Sequence, residues 1–221
     1  MKQKFTILFD LDGTLVDTAP DLIQAHNHVM KKFGYPSKSI EELKNAVGKG
    51  AKAMMAKGNG KWEWFDEKIQ NEMTNEFISF YGKNILHDST LINGVKEFLK
   101  WCKNQNISIA VCTNKTEHLA VDLLKKIEIY DFFEYVSGYN TFEYCKPDPR
   151  HLIKTIEILG GDKNKSIMIG DSETDANAAK AAEIPMILLK YGYTEKRSEE
   201  IYHNYLIKDF IGIEKIISKY L

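Results

Sequence analysis

The stretch Phe9-Asp10-Leu11-Asp12-Gly13-Thr14-Leu15-Val16-Asp17-Thr18 places two carboxylates two residues apart, just beyond the apolar run Phe5-Thr6-Ile7-Leu8-Phe9. Such a run, bounded by turn residues, predicts a buried strand. The glycine and threonine that follow end it, so the acids sit at its carboxyl tip. In an open parallel sheet that tip borders the crevice where ligands bind. Buried carboxylates this close repel each other, which calls for a cation or a shared proton. One can act as a covalent nucleophile and its neighbour as a general acid/base. The alternative is a strand end followed by an ordinary Asp-Gly turn.

Three later segments carry the same signature. Ile107-Ser108-Ile109-Ala110-Val111-Cys112 is a second buried-strand pattern, and it ends in Thr113-Asn114-Lys115. Glu143-Tyr144-Cys145-Lys146-Pro147-Asp148-Pro149 puts a lysine in a loop before a helix-starting pattern. Ser166-Ile167-Met168-Ile169-Gly170 is a third strand, followed by Asp171-Ser172-Glu173-Thr174-Asp175. Each segment has a bland reading: Thr113 as a helix cap, Lys146 as a solvated loop charge, Asp171 as an N-cap. In the order carboxylate pair, hydroxyl, lysine, carboxylates, they point together to chemistry.

From residue 93 onward helix and strand patterns alternate. Helices are predicted at 95–103, 117–127, 149–159, 174–182 and 213–220, with strands at 107–112, 134–137, 166–169, 185–189 and 205–208. Alternation of this kind predicts a parallel sheet covered by helices on both faces. Residues 19–92 are instead almost wholly helical in period, with predicted helices at 21–33, 40–47, 51–57 and 62–81, and Ser39 as a cap for the second. The expected organisation is α/β, a parallel-sheet core formed by 1–16 and 93–221, interrupted by an all-helical insertion at 17–92.

With 221 residues, 43% hydrophobic and 28% charged, the chain suits a packed globular protein. A net charge of −1 offers no general attraction for nucleic acid or anionic membrane. The three cysteines, Cys102, Cys112 and Cys145, have no metal-type spacing. Cys102 and Cys112 read as buried thiols, while the charge of Lys146 beside Cys145 favours its thiolate. The first predicted strand begins so early that no secretory leader fits, and no apolar run approaches the ~20 residues that span a bilayer. A cytoplasmic protein, monomer or homodimer, is expected.

On these four segments the chain resembles the haloacid dehalogenase-like hydrolase superfamily, and within it the phosphoglycolate phosphatase group. The subgroup likeness rests on Asp-Thr-Ala-Pro-Asp at 17–21, Val-Gly-Lys-Gly-Ala at 47–51, Thr-Asn-Lys at 113–115 and Tyr-Gly-Tyr at 191–193. The resemblance implies a Rossmann-like core with a helical cap, and a small phosphorylated metabolite as the partner. It makes Asp10 the nucleophile that becomes a transient aspartyl phosphate, and Asp12 the acid/base that protonates the leaving alcohol and then activates water. Thr113 and the amide of Asn114 would donate to the phosphoryl oxygens, and Lys146 would contribute a positive charge. Mg²⁺ would be held by Asp10, the carbonyl of Asp12 and Asp171, with Asp175 orienting Lys146 or a metal-bound water.

In the insertion, Gly48-Lys49-Gly50 is the expected loop facing the site, Lys49 and Gly50 being the substrate-binding candidates; the alternative is a plain interhelix turn. Two features depart from the family pattern: Asn93-Gly94 where a proline commonly precedes the glycine, and a short stretch at Asn59 to Trp64. Both lie where substrate choice is made, which keeps other small phosphate esters (nucleotide, pyrophosphate, sugar phosphate) and sugar phosphomutase chemistry open. Dehalogenase chemistry is disfavoured by the acid at Asp12, and phosphonate hydrolysis by the want of a clear Schiff-base lysine. A non-enzymatic phospho-accepting module is the alternative of a different class. Asp12 beside Asp10 supplies the means to hydrolyse a phosphoenzyme, which such a module lacks.

Overall fold

The computed structural model describes residues 4–58 and 62–221. The first strand, β1 (Thr6–Phe9), is buried along its whole length. A two-residue strand β2 (Val16–Asp17) follows, then helices α1 (Ala19–Lys32), α2 (Ile40–Leu43), α3 (Ala51–Gly58) and α4 (Glu67–Lys83). Strand β3 (Thr90–Leu91) pairs antiparallel with β2. Beyond it come α5 (Val95–Asn104), β4 (Ser108–Cys112), α6 (Glu117–Lys126), β5 (Tyr135–Ser137), α7 (Pro149–Ile158) and β6 (Ser166–Gly170). The chain ends with α8 (Glu173–Ala182), β7 (Met186–Leu189), β8 (Tyr205–Ile207) and α9 (Glu214–Ile217).

Six strands form one sheet in the order β5-β4-β1-β6-β7-β8, and every pairing in it is parallel. Strand alternation sorts the side chains into two layers. Ile7, Phe9, Ile109, Val111, Ile167, Ile169, Ile187 and Leu189 join one apolar cluster with residues of α5 and α6. Leu8, Ala110, Cys112, Met168, Met186 and Leu188 join a second cluster with residues of α7 and α8. Burial on both faces explains why these strands read as continuous apolar runs. The α/β architecture expected from the sequence is therefore the one observed.

β1 sits mid-sheet, with β4 and β5 on one side and β6, β7 and β8 on the other. The direction of winding reverses beside β1, so its carboxyl tip opens into the crevice that open sheets reserve for ligands. Phe9 anchors that tip, its ring 6.1 Å edge-on from Phe98 and 5.9 Å from Phe133. Asp10 follows directly on this anchored residue.

The helical segment differs in detail from its period. The expected helix 40–47 shortens to α2 plus a 3-10 turn at Lys44–Ala46, since the chain must turn into Gly48, whose φ of 78° is left-handed. Ser39 does cap it: its Oγ accepts from Glu42 N while Ser39 N donates to the Glu42 carboxylate. The pattern at 62–81 divides into a 3-10 turn at Trp62–Trp64 and α4, which Asp66 caps by accepting from Ile69 N. Part of the stretch 59–64, noted for its shortness, lies outside the described residues. The last helix is shorter than its apolar period, only α9. Among the described residues no helix is long and apolar enough to cross a membrane.

Candidate active site

The register of β1 aligns Phe9 with Val111 of β4 and Ile169 of β6. Asp10, Thr113 and Asp171, each just beyond its strand, therefore meet at one sheet edge. Gly13 makes the turn after β1, with φ 81°, and a Cβ there would collide with Asp171 Oδ2. Gly13 N donates to Val16 O, so the chain doubles back at once and leaves Asp10 and Asp12 at the edge.

Three bland readings give way. Lys146 is buried, its Nζ 2.9 Å from Asp10 Oδ1 and 2.6 Å from Asp175 Oδ1. Thr113 is buried, and Thr116 rather than Thr113 stands at the start of α6. Asp171 is not the cap of α8: Ser172 fills that position, and Ser172 with Asp175 forms a reciprocal capping box. Asp175 thus has two tasks. Its Oδ2 accepts from Asp171 N, Ser172 N and Ser172 Oγ, while Oδ1 takes the Lys146 ammonium. Asp171 is left facing Asp10, its carboxylate accepting from Thr14 Oγ1 at 2.9 Å and from Tyr193 N at 2.8 Å. The Tyr193 hydroxyl in turn donates to Asp17 and accepts from Ala19 N, so this residue ties the site to the start of the helical segment.

Asp10, Asp171 and Asp175 each bring an oxygen within 4.8 Å of the others. Burial pushes the Asp10 carboxyl up to about 7, and the charge of Asp175 adds to the rise against the opposing pull of Lys146. Asp171 is raised well above the carboxylate range by burial, then by Asp175 and Asp10. Lys146 is held charged, because Asp10 and Asp175 outweigh the burial that disfavours its ammonium. Asp10 Oδ1 has no hydrogen bond, although Lys146 is close enough to pair with it electrostatically. Three buried carboxylates facing one ammonium leave an excess of negative charge and oxygen donors that fits a hard divalent cation.

Asp12 looks away from this cluster. Its Oδ1 accepts from Thr18 Oγ1 at 2.7 Å and from Lys115 Nζ at 2.7 Å. It lines a cavity of about 540 Å³ that also includes Asn114, Lys115, Lys49, Gly50, Trp62 and Tyr81. Asp10, Lys146 and Asp171 are not among the cavity's lining residues, whereas Asp12 is. Gly50 faces Asn114, its Cβ position 3.6 Å from Asn114 O, while Lys49 is exposed at the lip. Asn114 Nδ2 donates to Lys146 O, joining the second and third segments.

Lys115 was assigned no role by sequence reasoning, yet it is buried against Asp12. The available signal was its place two residues past Thr113, one alternation further along the strand tip. Cys145 corrects an expectation: burial raises its thiol, and the nearby charge of Lys146 does not overcome that. Cys112 and Cys102 are likewise pushed up, to about 11 and about 12, first by burial. All three are free thiols.

The family model described as haloacid dehalogenase-like hydrolase matches residues 7–189. The chain belongs to this family. It is 38% identical over 218 residues to a phosphoglycolate phosphatase of Agrobacterium fabrum, covering 96% of this chain and 94% of that one. A phosphoglycolate phosphatase of Caulobacter vibrioides is 36% identical over 211 residues, covering 95% and 89%. Among solved structures, a predicted phosphoglycolate phosphatase of Haemophilus somnus superposes with a TM-score of 0.90 at 28% identity, covering 98% and 99%. A β-phosphoglucomutase of Clostridium difficile, at 19% identity and a TM-score of 0.82, shares the fold.

Proposed function

We propose that this hydrolase is a phosphatase acting on a small phosphomonoester, 2-phosphoglycolate first among them, through an aspartyl phosphate on Asp10. The observation that carries the reading is the division of labour between the two acids. Asp10 lies among Lys146, Asp171 and Asp175, whereas Asp12 faces the cavity with Lys115 and Thr18 holding one of its oxygens. The substrate preference is supported by relatives of that name that match over most of both chains.

In this reading Asp10 attacks phosphorus and the ester P–O bond breaks, with Asp12 passing its proton to the departing alkoxide. Water then attacks the phosphoenzyme and gives its proton to Asp12, releasing phosphate and restoring Asp10. Thr113 and the Asn114 amide donate to the phosphoryl oxygens, and the Lys146 ammonium balances their charge. Asp171, the Asp10 carboxylate and the Asp12 carbonyl would hold Mg²⁺, which when bound would neutralise both the clustered acids and the phosphoryl group. Asp175 keeps Lys146 in place.

The helices of 17–92 act as a cap on the core of 1–16 and 93–221. The β2–β3 ribbon is the hinge, and closure over bound substrate excludes bulk solvent. Lys49 and Gly50 border the leaving group. As an exposed charge, Lys49 chiefly draws the anionic ester in, an effect that fades as salt rises. A cavity of about 540 Å³ falls in the range that holds drug-sized ligands, which favours a second reading as a phosphatase for a larger ester. Phosphate release from 2-phosphoglycolate, nucleoside monophosphates, pyrophosphate and sugar phosphates, compared as kcat/KM with Mg²⁺ present, decides between them. A clear lead for a nucleotide or a sugar phosphate would replace the first substrate and leave the chemistry standing.

Asp171→Ala is expected to raise the Mg²⁺ concentration for half-maximal activity at least tenfold, since one charged ligand is lost. Metal binding should also be seen without turnover. At about 100 times its dissociation constant, Mg²⁺ stabilises by about 2.7 kcal/mol, roughly 5–10 °C in melting temperature for a chain of this size. That gain should largely vanish in Asp171→Ala. An undiminished melting shift in the variant would place the ion elsewhere.

A further inference from the structure

The cavity beyond Asp12 carries a charge pattern that the phosphoryl chemistry does not require. Among the described residues its lining includes three lysines, Lys49, Lys52 and Lys115, against a single carboxylate, Asp12. Lys49 and Lys52 are exposed, while Lys115 is buried, its side chain only 6% accessible. An ammonium has three donors and no acceptor. Among the described residues Lys115 Nζ makes one hydrogen bond, to Asp12 Oδ1, and otherwise lies 4.5 Å from the centre of the Tyr81 ring.

Tyr81 completes the pattern from the helical side. It is 1% exposed, on α4, and its buried hydroxyl donates to no acceptor among the described residues. A buried unpaired hydroxyl costs stability unless something occupies it. Burial pushes the phenol up to about 12, against the opposing charge of Lys115, so the group remains a donor. Lys115 Nζ is paired with the Asp12 carboxylate at 2.7 Å, its other two N–H donors left over among the described residues. Two donors with unused capacity therefore stand side by side in the cavity wall, next to the acid that protonates the leaving group.

We propose that Lys115 and Tyr81 form the subsite that reads an anion, a carboxylate, on the leaving group of the substrate. The proposal rests on the phosphatase reading and deepens it. The two residues come from different segments, one from the tip of β4 and one from α4, so the subsite is assembled only when the helical segment lies over the core. Asp12 is the shared element: Lys115 holds one of its oxygens and stands at the position where the departing alcohol would carry its carboxylate. This reading gives the third residue of Thr113-Asn114-Lys115 a task of its own, separate from Thr113 and Asn114, which serve the phosphoryl group. It also separates a buried, specific cation from Lys49, whose exposure suits attraction over recognition.

The test compares two esters that share a two-carbon leaving group, 2-phosphoglycolate with its carboxylate and 2-hydroxyethyl phosphate without it. The readout is the ratio of their kcat/KM values, which cancels any effect of Lys115 on Asp12 that both esters feel. Lys115→Met should lower the ratio by roughly 10- to 100-fold, the size of one charge-assisted hydrogen bond, with the larger part in KM for 2-phosphoglycolate. Tyr81→Phe, which removes only the hydroxyl, should lower it by roughly three- to tenfold and serves if Lys115→Met does not fold. A ratio within about threefold of the parent's in Lys115→Met, or unmoved in Tyr81→Phe where the first variant fails to fold, overturns the subsite. A parent ratio near one would mean that no carboxylate is read, removing both the subsite and the first-choice substrate while hydrolysis of both esters keeps the phosphatase reading. A parent inactive on both esters and on the wider panel would instead remove the phosphatase reading itself.

Discussion

Asp10→Asn is expected to lower kcat by more than about 10⁴-fold, because removing a covalent nucleophile typically costs that much or more. The change is nearly isosteric, and Asp10 N still donates to Ile169 O at 2.9 Å, so the backbone of the strand tip is undisturbed. Without metal the variant should be at least as stable as the parent at pH 8. The parent's Asp10 is raised to about 7 in the folded state against an ordinary value of 3.8. A carboxyl whose folded value is raised loses stability as pH climbs between the two values, and the amide has no such charge to bury. Melting temperatures at pH 5 and pH 8 in chelator, alongside Mg²⁺-dependent phosphate release, check both halves. Turnover within about tenfold of the parent would remove Asp10 from the covalent role.

Lys146→Met carries the second large effect, and it falls on folding as well as on activity. Lys146 is 2% exposed and bridges Asp10 and Asp175. Removing one partner of a buried ion pair leaves uncompensated charge and costs about 3–5 kcal/mol, roughly 6–20 °C in a chain of this length. The loss measured in chelator should be larger at pH 8 than at pH 5. At the lower pH the Asp10 carboxyl, with its folded value near 7, already holds a proton and needs the ammonium less. A loss independent of pH would mean that packing of the lysine stem, rather than its charge, matters. Saturating Mg²⁺ should return part of the lost stability but little activity, since the phosphoryl group would still lack the Lys146 charge.

Much of this candidate site was readable because three of its groups directly follow apolar runs that read as buried strands. Asp10 after Phe9, Thr113 after Cys112 and Asp171 after Gly170 needed no knowledge of distant contacts, only that parallel strands end at one edge. The parallel sheet followed from alternation alone. What stayed hidden depends on pairing across the chain. β2 and β3 are two residues each, too short to show a period, and they meet only because Val16 pairs with Leu91. Lys115 reaches Asp12 over 103 positions and meets Tyr81 of a separate helix, contacts that its place two residues past Thr113 does not reveal. Tyr193 closing on Asp171 and Asp17 was invisible for the same reason. The capping box at Ser172 and Asp175 escaped notice because its acid is an aspartate where the usual signature has glutamate or glutamine.

Lys146 shows the limit of reading charge from composition. Before proline in a polar loop, a lysine is ordinarily solvated. It is buried here because a carboxylate just past β1 and another in the first turn of α8 await it, and their combined charge outweighs the cost of dehydration. Cys145 shows the converse: proximity to that lysine predicted a thiolate, but burial raises the thiol instead.

The central claim is that hydrolysis proceeds in two displacements at phosphorus, the first by Asp10 and the second by water. The stereochemical course of the reaction tests it without requiring the intermediate to accumulate. An isotopically chiral thiophosphate ester of glycolate, hydrolysed in oxygen-labelled water with Mg²⁺, should give product with retained configuration, since two inversions cancel. Inverted product would mean that water attacks the substrate directly, and Asp10 would then be no more than a ligand in an acidic cluster.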